Sequence, residues 1–227
     1  MSLFQYPKSK HVRKFGPPTY KHYQTYKRWL QAEFSRVCVY CRQPDSSSPN
    51  LNFGVDHYKP KGDSRFGHLL CSYGNLYYCC GSCNSRKNDD WPTDEKAGPY
   101  VVNPCDHEMA DHLRFNVKSG RIEPRSSNGT HTEKLLQLND VESIKYRNNT
   151  FVIIRALEAE IARLDAELKE SENCLSRGII TQAEHDADAI SIRADRDAHQ
   201  CVIFAQNGGL PLALSRKQQN YLAPAKP

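Results

Sequence analysis

None of the apolar runs in this 227-residue chain approaches the roughly 18 residues that a membrane-spanning helix requires. The N-terminus also lacks an apolar core of the signal-peptide kind, so the expected compartment is the cytoplasm. There is no internal repeat. Acidic residues are missing from the start of the chain: the first is Glu33, and Lys8, Lys10, Arg13, Lys14, Lys21, Lys27 and Arg28 all precede it. These absences argue against a helical membrane protein, a secreted domain and a repeat array.

What remains is a polar globular composition, 38% apolar and 25% charged. The charge is uneven. Residues 1–100 carry 15 Lys and Arg against 8 Asp and Glu, whereas residues 101–227 carry 16 against 18. A polyanion is the natural partner of the basic half. The nine cysteines are an odd number, and four of them fall into two C-x-x-C pairs. Without a secretion signal, that spacing favours metal over disulfides.

The basic residues 1–19, with Pro7, Gly16, Pro17 and Pro18, read as an irregular arm, either a solvated tail or a nucleic-acid contact. Tyr20, Tyr23, Tyr26, Leu30 and Phe34 recur at helical intervals and predict a helix from Thr19 to about Val37. That aromatic stripe favours core over a base-stacking platform. Residues 43–50 should be loop and 51–55 a short strand that ends by presenting Asp56 and His57. Residues 75–79 should be a second strand, and Cys80 to about Asn88 a short helix. A small hairpin is expected around Lys118-Ser119-Gly120. Asn139-Asp140 should cap a long helix from about Val141 to Ser176, on which Ile154, Leu157, Ile161, Leu164, Leu168 and Leu175 form a near-heptad stripe. Arg177-Gly178 should close it. Thr181 and Glu184 fit a capping box for a second helix over about 182–206, with Ala187, Ile190, Ala194, Ala198 and Cys201 as its apolar face. The two helices should pair antiparallel, with Gly208-Gly209 ending the second and a loose tail over 215–227.

The chemistry gathers around Asp56-His57. Cys38 and Cys41 precede the pair and Cys80 and Cys83 follow it, so four thiolates can bind one structural Zn²⁺ tetrahedrally. Cys79 competes with Cys80, but the two-residue spacing to Cys83 favours Cys80. Such a zinc has no open position for chemistry. Asp56, with the amide oxygen of Asn84 just after Cys83, could instead hold a hard cation such as Mg²⁺. His57 could take a proton from water. Asp106-His107 and Asp111-His112 lack any surrounding knuckle and read as turn and surface residues.

Cys38-x-x-Cys41, Val55-Asp56-His57, Gly74-Asn75-Leu76 and Cys80-x-x-Cys83-Asn84-x-x-Lys87, in that order over residues 38–90, resemble the zinc-containing branch of the HNH endonucleases. The resemblance implies an α+β fold with a ββα-metal core. It implies His57 as general base, Asp56 and Asn84 as ligands of a catalytic Mg²⁺ or Mn²⁺, and Asn75 as the catalytic-motif residue that braces the loop and orients His57. Asn84 stands where the last histidine of the family's name would be. Lys59, Lys61, Arg86 and Lys87 flank the motif as candidate DNA contacts. The run Asp56-His57-Tyr58-Lys59-Pro60-Lys61, with Asn103-Pro104, Gly120, Leu136-Gln137-Leu138-Asn139 and Arg147, is similar to the HNH effectors of Septu-type and retron-associated anti-phage systems. Those nucleases work beside an ATPase.

The expected organisation is a basic arm and helix (1–37), a nuclease core with a turn-rich extension (38–130) and a helical C-terminal region (131–227). The helical hairpin would serve as a partner surface or as a cap on the core. The alternative is a zinc-ribbon nucleic-acid-binding or adaptor protein without catalysis.

Overall fold

The computed structural model describes residues 3–46, 52–94 and 96–206. The expected loop over 47–50, the strand start at Leu51, the Gly208-Gly209 stop and the tail over 215–227 lie outside the described residues.

The structure is mixed α+β, with two small antiparallel sheets, a four-cysteine cluster and a long C-terminal helical hairpin. After α1 (Lys27–Glu33), β1 (Phe53–His57) pairs antiparallel with β2 (Leu76–Cys80), and α2 (Gly81–Lys87) follows β2 directly. Both strands are shifted toward the C-terminus of their expected spans, so Asp56 and His57 lie within β1, opposite Tyr77 and Leu76. A short helix α3 (Met109–His112) leads into the hairpin of β3 (Leu113–Asn116) and β4 (Arg121–Pro124), as the turn residues predict. Then come α4 (Ser127–Leu135), α5 (Val141–Ser176) and α6 (Gln182–Gln206).

One buried cluster draws on the N-terminal arm, the strands, the β3–β4 hairpin and α5. The arm is not a solvated tail. Leu3, Phe4, Tyr6 and Phe15 are buried, whereas Lys8, Lys10 and Lys14 are exposed. The arm is also pinned by Glu33, whose carboxylate accepts from the Lys14 and Phe15 amides at 2.8 and 3.1 Å and contacts His11 at 2.8 Å.

The first helix is much shorter than the stripe suggests. A 3-10 turn (Tyr23–Tyr26) precedes α1, and the chain reverses at Ser35 and Arg36, both at positive φ. Tyr20 contributes its burial from outside the helix, with its amide donating to the Tyr26 hydroxyl at 2.9 Å. Regular spacing therefore extended the expected helix across a turn.

α5 matches its expected bounds. Asp140 accepts from the Ser143 amide at 2.6 Å, and Gly178 follows the Arg177 cap at φ +69°. The Thr181–Glu184 capping box forms reciprocally. The face of α6 is a correction. Ala187, Ile190, Ala194, Ala198 and Cys201 are exposed, and Ala189 and Ile203 are the buried residues. Polar pairs across the hairpin accompany this rotation: Ser171 with His185 at 3.0 Å and Asp165 with Arg196 at 2.7 Å.

Asn103, Asn139 and Arg147 are structural braces. The Asn103 side chain accepts from the Tyr77 hydroxyl and from two backbone amides. Asn139 brackets the backbone of Ile122, and buried Arg147 donates to the Gly120 and Leu138 carbonyls. No helix among the described residues is long and apolar enough to cross a membrane.

Candidate functional site

The four sulfurs of Cys38, Cys41, Cys80 and Cys83 lie within 4.8 Å of one another, and all nine cysteines are free. Cys80 caps α2, its sulfur accepting from the Cys83 amide at 3.5 Å, so one helical turn brings the second sulfur back to the first. Alternation along β2 turns buried Cys79 away from the set, which settles the choice in favour of Cys80. A tetrahedral zinc with sulfurs at about 2.3 Å requires sulfur–sulfur separations of about 3.8 Å. Cys41 and Cys80 are 3.8 Å apart. Donor type, number and spacing thus fit a structural Zn²⁺, and among the described residues no other group of three or more His, Cys, Asp or Glu converges this way.

Asp56, His57 and Asn84 line one cleft of about 250 Å³, with Tyr23 and Lys61. β1 supplies the first two and α2 supplies Asn84. The cysteine cluster fixes the distance between them, because Cys80 and Cys83 flank the start of the helix that carries Asn84.

Asp56 is buried and tightly held. Its Oδ2 accepts from the Tyr40 hydroxyl at 2.5 Å and its Oδ1 from Lys87 Nζ at 3.2 Å. Lys87 is buried too, and it donates to the His57 carbonyl at 2.7 Å. Burial and the nearby Asp56 carboxylate push the Tyr40 phenol well above its ordinary pKa, so it stays a donor. Tyr40 sits between the ligating cysteines Cys38 and Cys41, so the knuckle itself orients the carboxylate. The sequence reading missed this role. The only signal was a tyrosine inside a C-x-x-C loop.

His57 is buried, with its Nε2 2.9 Å from the Leu70 carbonyl and its ring edge-to-face with Tyr23 at 4.5 Å. A carbonyl only accepts, so Nε2 carries the proton and Nδ1 is the acceptor of the neutral ring. Burial pulls the imidazole below its ordinary pKa. That outweighs the Leu70 hydrogen bond and Asp56, and Lys61 and Lys87 push the same way. The Leu70 contribution comes from backbone, and side-chain patterns give no hint of it.

Asn75 stands beside the cleft. Its side chain accepts from the Lys59 amide at 2.8 Å and donates to the Lys59 carbonyl at 3.0 Å, and its own carbonyl accepts from the Tyr58 amide at 2.9 Å. It braces the loop leaving His57, and both of its side-chain hydrogen bonds go to the Lys59 backbone.

The four candidate DNA contacts separate. Lys61 is exposed at the cleft, its ammonium 3.3 Å from the Tyr23 hydroxyl. Lys59 is half-buried, its ammonium lying over the rings of Phe66 and Trp91 at 5.1 and 5.2 Å. Arg86 and Lys87 correct the expectation. Arg86 donates to the Leu136 carbonyl at 2.9 Å and pairs with Asp140 at 2.8 Å, tying α2 to the start of α5. Lys87 is committed to Asp56. Their charge and place beside the motif suggested phosphate contacts, but partners distant in sequence engage both, Asp140 for Arg86 and Asp56 for buried Lys87.

No protein-family model matches the chain, and neither a curated protein nor a solved structure gives a match. The functional reading therefore rests on the chemistry of the site.

Proposed function

We propose that this chain is a metal-dependent endonuclease of the HNH type, hydrolysing DNA phosphodiester bonds at the Asp56–His57–Asn84 cleft. The β1–β2–α2 unit corresponds to the ββα-metal core of that reading. The observation that carries it is the meeting in one cleft of a carboxylate, an amide and an imidazole whose Nε2 is committed to a backbone carbonyl.

Asp56 and Asn84 offer hard oxygen donors, of the kind Mg²⁺ and Mn²⁺ accept alongside water and substrate phosphate. A divalent cation held there would stabilise the charge developing on the phosphate oxygens and the leaving group. His57 Nδ1 takes the proton of the attacking water as the new P–O bond forms and the bond to the leaving oxygen breaks. Leu70 and Tyr23 hold the imidazole in orientation. Tyr40 and Lys87 hold the carboxylate, and Lys61 offers a cation to the DNA backbone. A role as an anti-phage effector beside an ATPase fits the same resemblance, with the α5–α6 hairpin as the surface for that partner. A zinc-ribbon binding protein without catalysis would explain the cysteines, but it gives the orientation of His57 no purpose.

The test is plasmid cleavage with Mg²⁺ or Mn²⁺. General-base removal typically costs about 10²–10⁴-fold in rate. His57→Ala should fall by about that factor while still folded at the assay temperature, as read by circular dichroism. Equal cutting by both proteins would overturn the proposal.

A further inference from the structure

The Asp106-His107 pair has no part in the cleft. Both residues line a second cavity, about 640 Å³, that shares the segment leaving His57 with the cleft. Tyr58 and Lys59 face this cavity, whereas His57, Pro60 and Lys61 line the smaller cleft. Successive Cα atoms are only about 3.8 Å apart, so the two spaces open on neighbouring residues of one short segment. Leu69 lines the larger cavity, and its neighbour Leu70 holds His57.

The walls combine flat rings with fixed cations. The Trp91 and Tyr100 rings are nearly parallel, 18° apart with centroids at 6.3 Å, and His107 leans on Tyr100 at 5.4 Å. Arg13 is held before any ligand arrives. Its guanidinium carbon lies 4.7 Å from the Tyr77 ring centroid, and Nη2 donates to the Leu76 carbonyl at 2.8 Å. Its Nη1 is buried without a hydrogen-bond partner, so the guanidinium keeps its charge unshared on that side. Lys59 brings a second cation. The one carboxylate of the lining, Asp106, accepts from the Asn103 amide at 2.8 Å.

Aromatic faces beside a guanidinium and an ammonium suit a planar base joined to a phosphate. We propose that this cavity takes one unpaired nucleotide of the strand whose scissile phosphate occupies the Asp56–His57 cleft. The proposal rests on the nuclease reading and narrows its substrate to single-stranded or locally unpaired DNA.

The test is a fluorescence titration of the intact protein without added divalent cation. The probes are a single-stranded DNA hexamer, a blunt duplex of the same sequence, and deoxyadenosine monophosphate. Trp91 is the reporter, and core Trp29 supplies a constant background. The hexamer should bind at least about tenfold more tightly than either other probe, and Tyr100→Ala and His107→Ala should each weaken it by about tenfold. Equal affinity for the mononucleotide would make the ligand a free nucleotide and overturn the proposal. Equal affinity for the blunt duplex, or no loss in either variant, would overturn it as well. Adding Mg²⁺ then separates the two readings. Tight hexamer binding that depends on Tyr100, with no cutting, sinks the nuclease reading and leaves the cavity assignment standing. Cutting with variant affinities unchanged does the reverse.

Discussion

The cleft and the helical hairpin hold their parts together by different means. Around the cleft, buried polar groups answer to specific partners: Asp56 to Tyr40 and Lys87, Asn75 to the Lys59 backbone, Glu33 to the arm. In the hairpin, Ile154 and Leu164 of α5 and Ala189 and Ile203 of α6 are the buried apolar residues, and the polar pairs between the helices are exposed or half-exposed. Apolar packing tolerates small adjustments, whereas a buried charge that loses its partner has nowhere to go. Single changes should therefore cost far more at the cleft than in the hairpin.

Metal removal should give the largest effect. Structural zinc contributes folding free energy directly, so chelation should lower the unfolding midpoint by at least about 15 °C. Hydrogen exchange should show β1, β2 and α2 losing protection well before the middle of α5. Uniform loss along the chain would erase the contrast between the two regions.

Next comes Lys87→Ala, which strands Asp56 in the interior. Removing one partner of a buried ion pair costs about 3–5 kcal/mol, readable by urea unfolding. A loss below about 1 kcal/mol would mean that Asp56 finds water or another cation.

Glu33 tests the same logic through pH. Burial raises its carboxyl pKa, but the hydrogen bonds from His11, Lys14 and Phe15 outweigh that and hold it below the ordinary value. A depressed folded-state pKa adds stability above the unfolded pKa of about 4.3, and that stability is lost as pH falls through the folded value. Glu33→Gln should cost about 1–3 kcal/mol at neutral pH and flatten the acid limb of stability against pH. A variant with an unchanged acid limb would remove Glu33 from the account.

The smallest effect belongs to the hairpin. Arg196→Ala removes the partially exposed pair with Asp165 and should cost less than about 1 kcal/mol by the same unfolding measurement. A larger loss would show that α6 depends on its polar pairs more than on its apolar face.

The sequence disclosed most where the signals were local. The two knuckles, the β3–β4 turn, the caps of α5 and the Thr181 box each lie within a few residues of what they determine. The cleft was legible in part, because Asp56, His57 and Asn84 lie next to or between cysteines whose spacing can be read directly. Lys87 and Arg86 were misplaced because burial of a charge depends on a partner far along the chain, here 31 residues from Lys87 to Asp56. The rotation of α6 was hidden because its inward face mixes Ala189, Ile192 and Ile203 with His185 and Arg196, whose partners on α5 periodicity does not encode.

Asn75 shows how far mutational sensitivity reaches beyond the cleft. Its amide offers one acceptor and one donor to the two backbone groups of Lys59, extending the sheet by one rung past the end of β1. An aspartate copies its shape but turns an acceptor toward a carbonyl, and a leucine answers neither group. Position 75 thus admits almost no drift, although its side chain lies outside the cleft where the chemistry is proposed. For a gene under changing selection, it is a place where a silent-looking substitution would loosen the segment that follows His57.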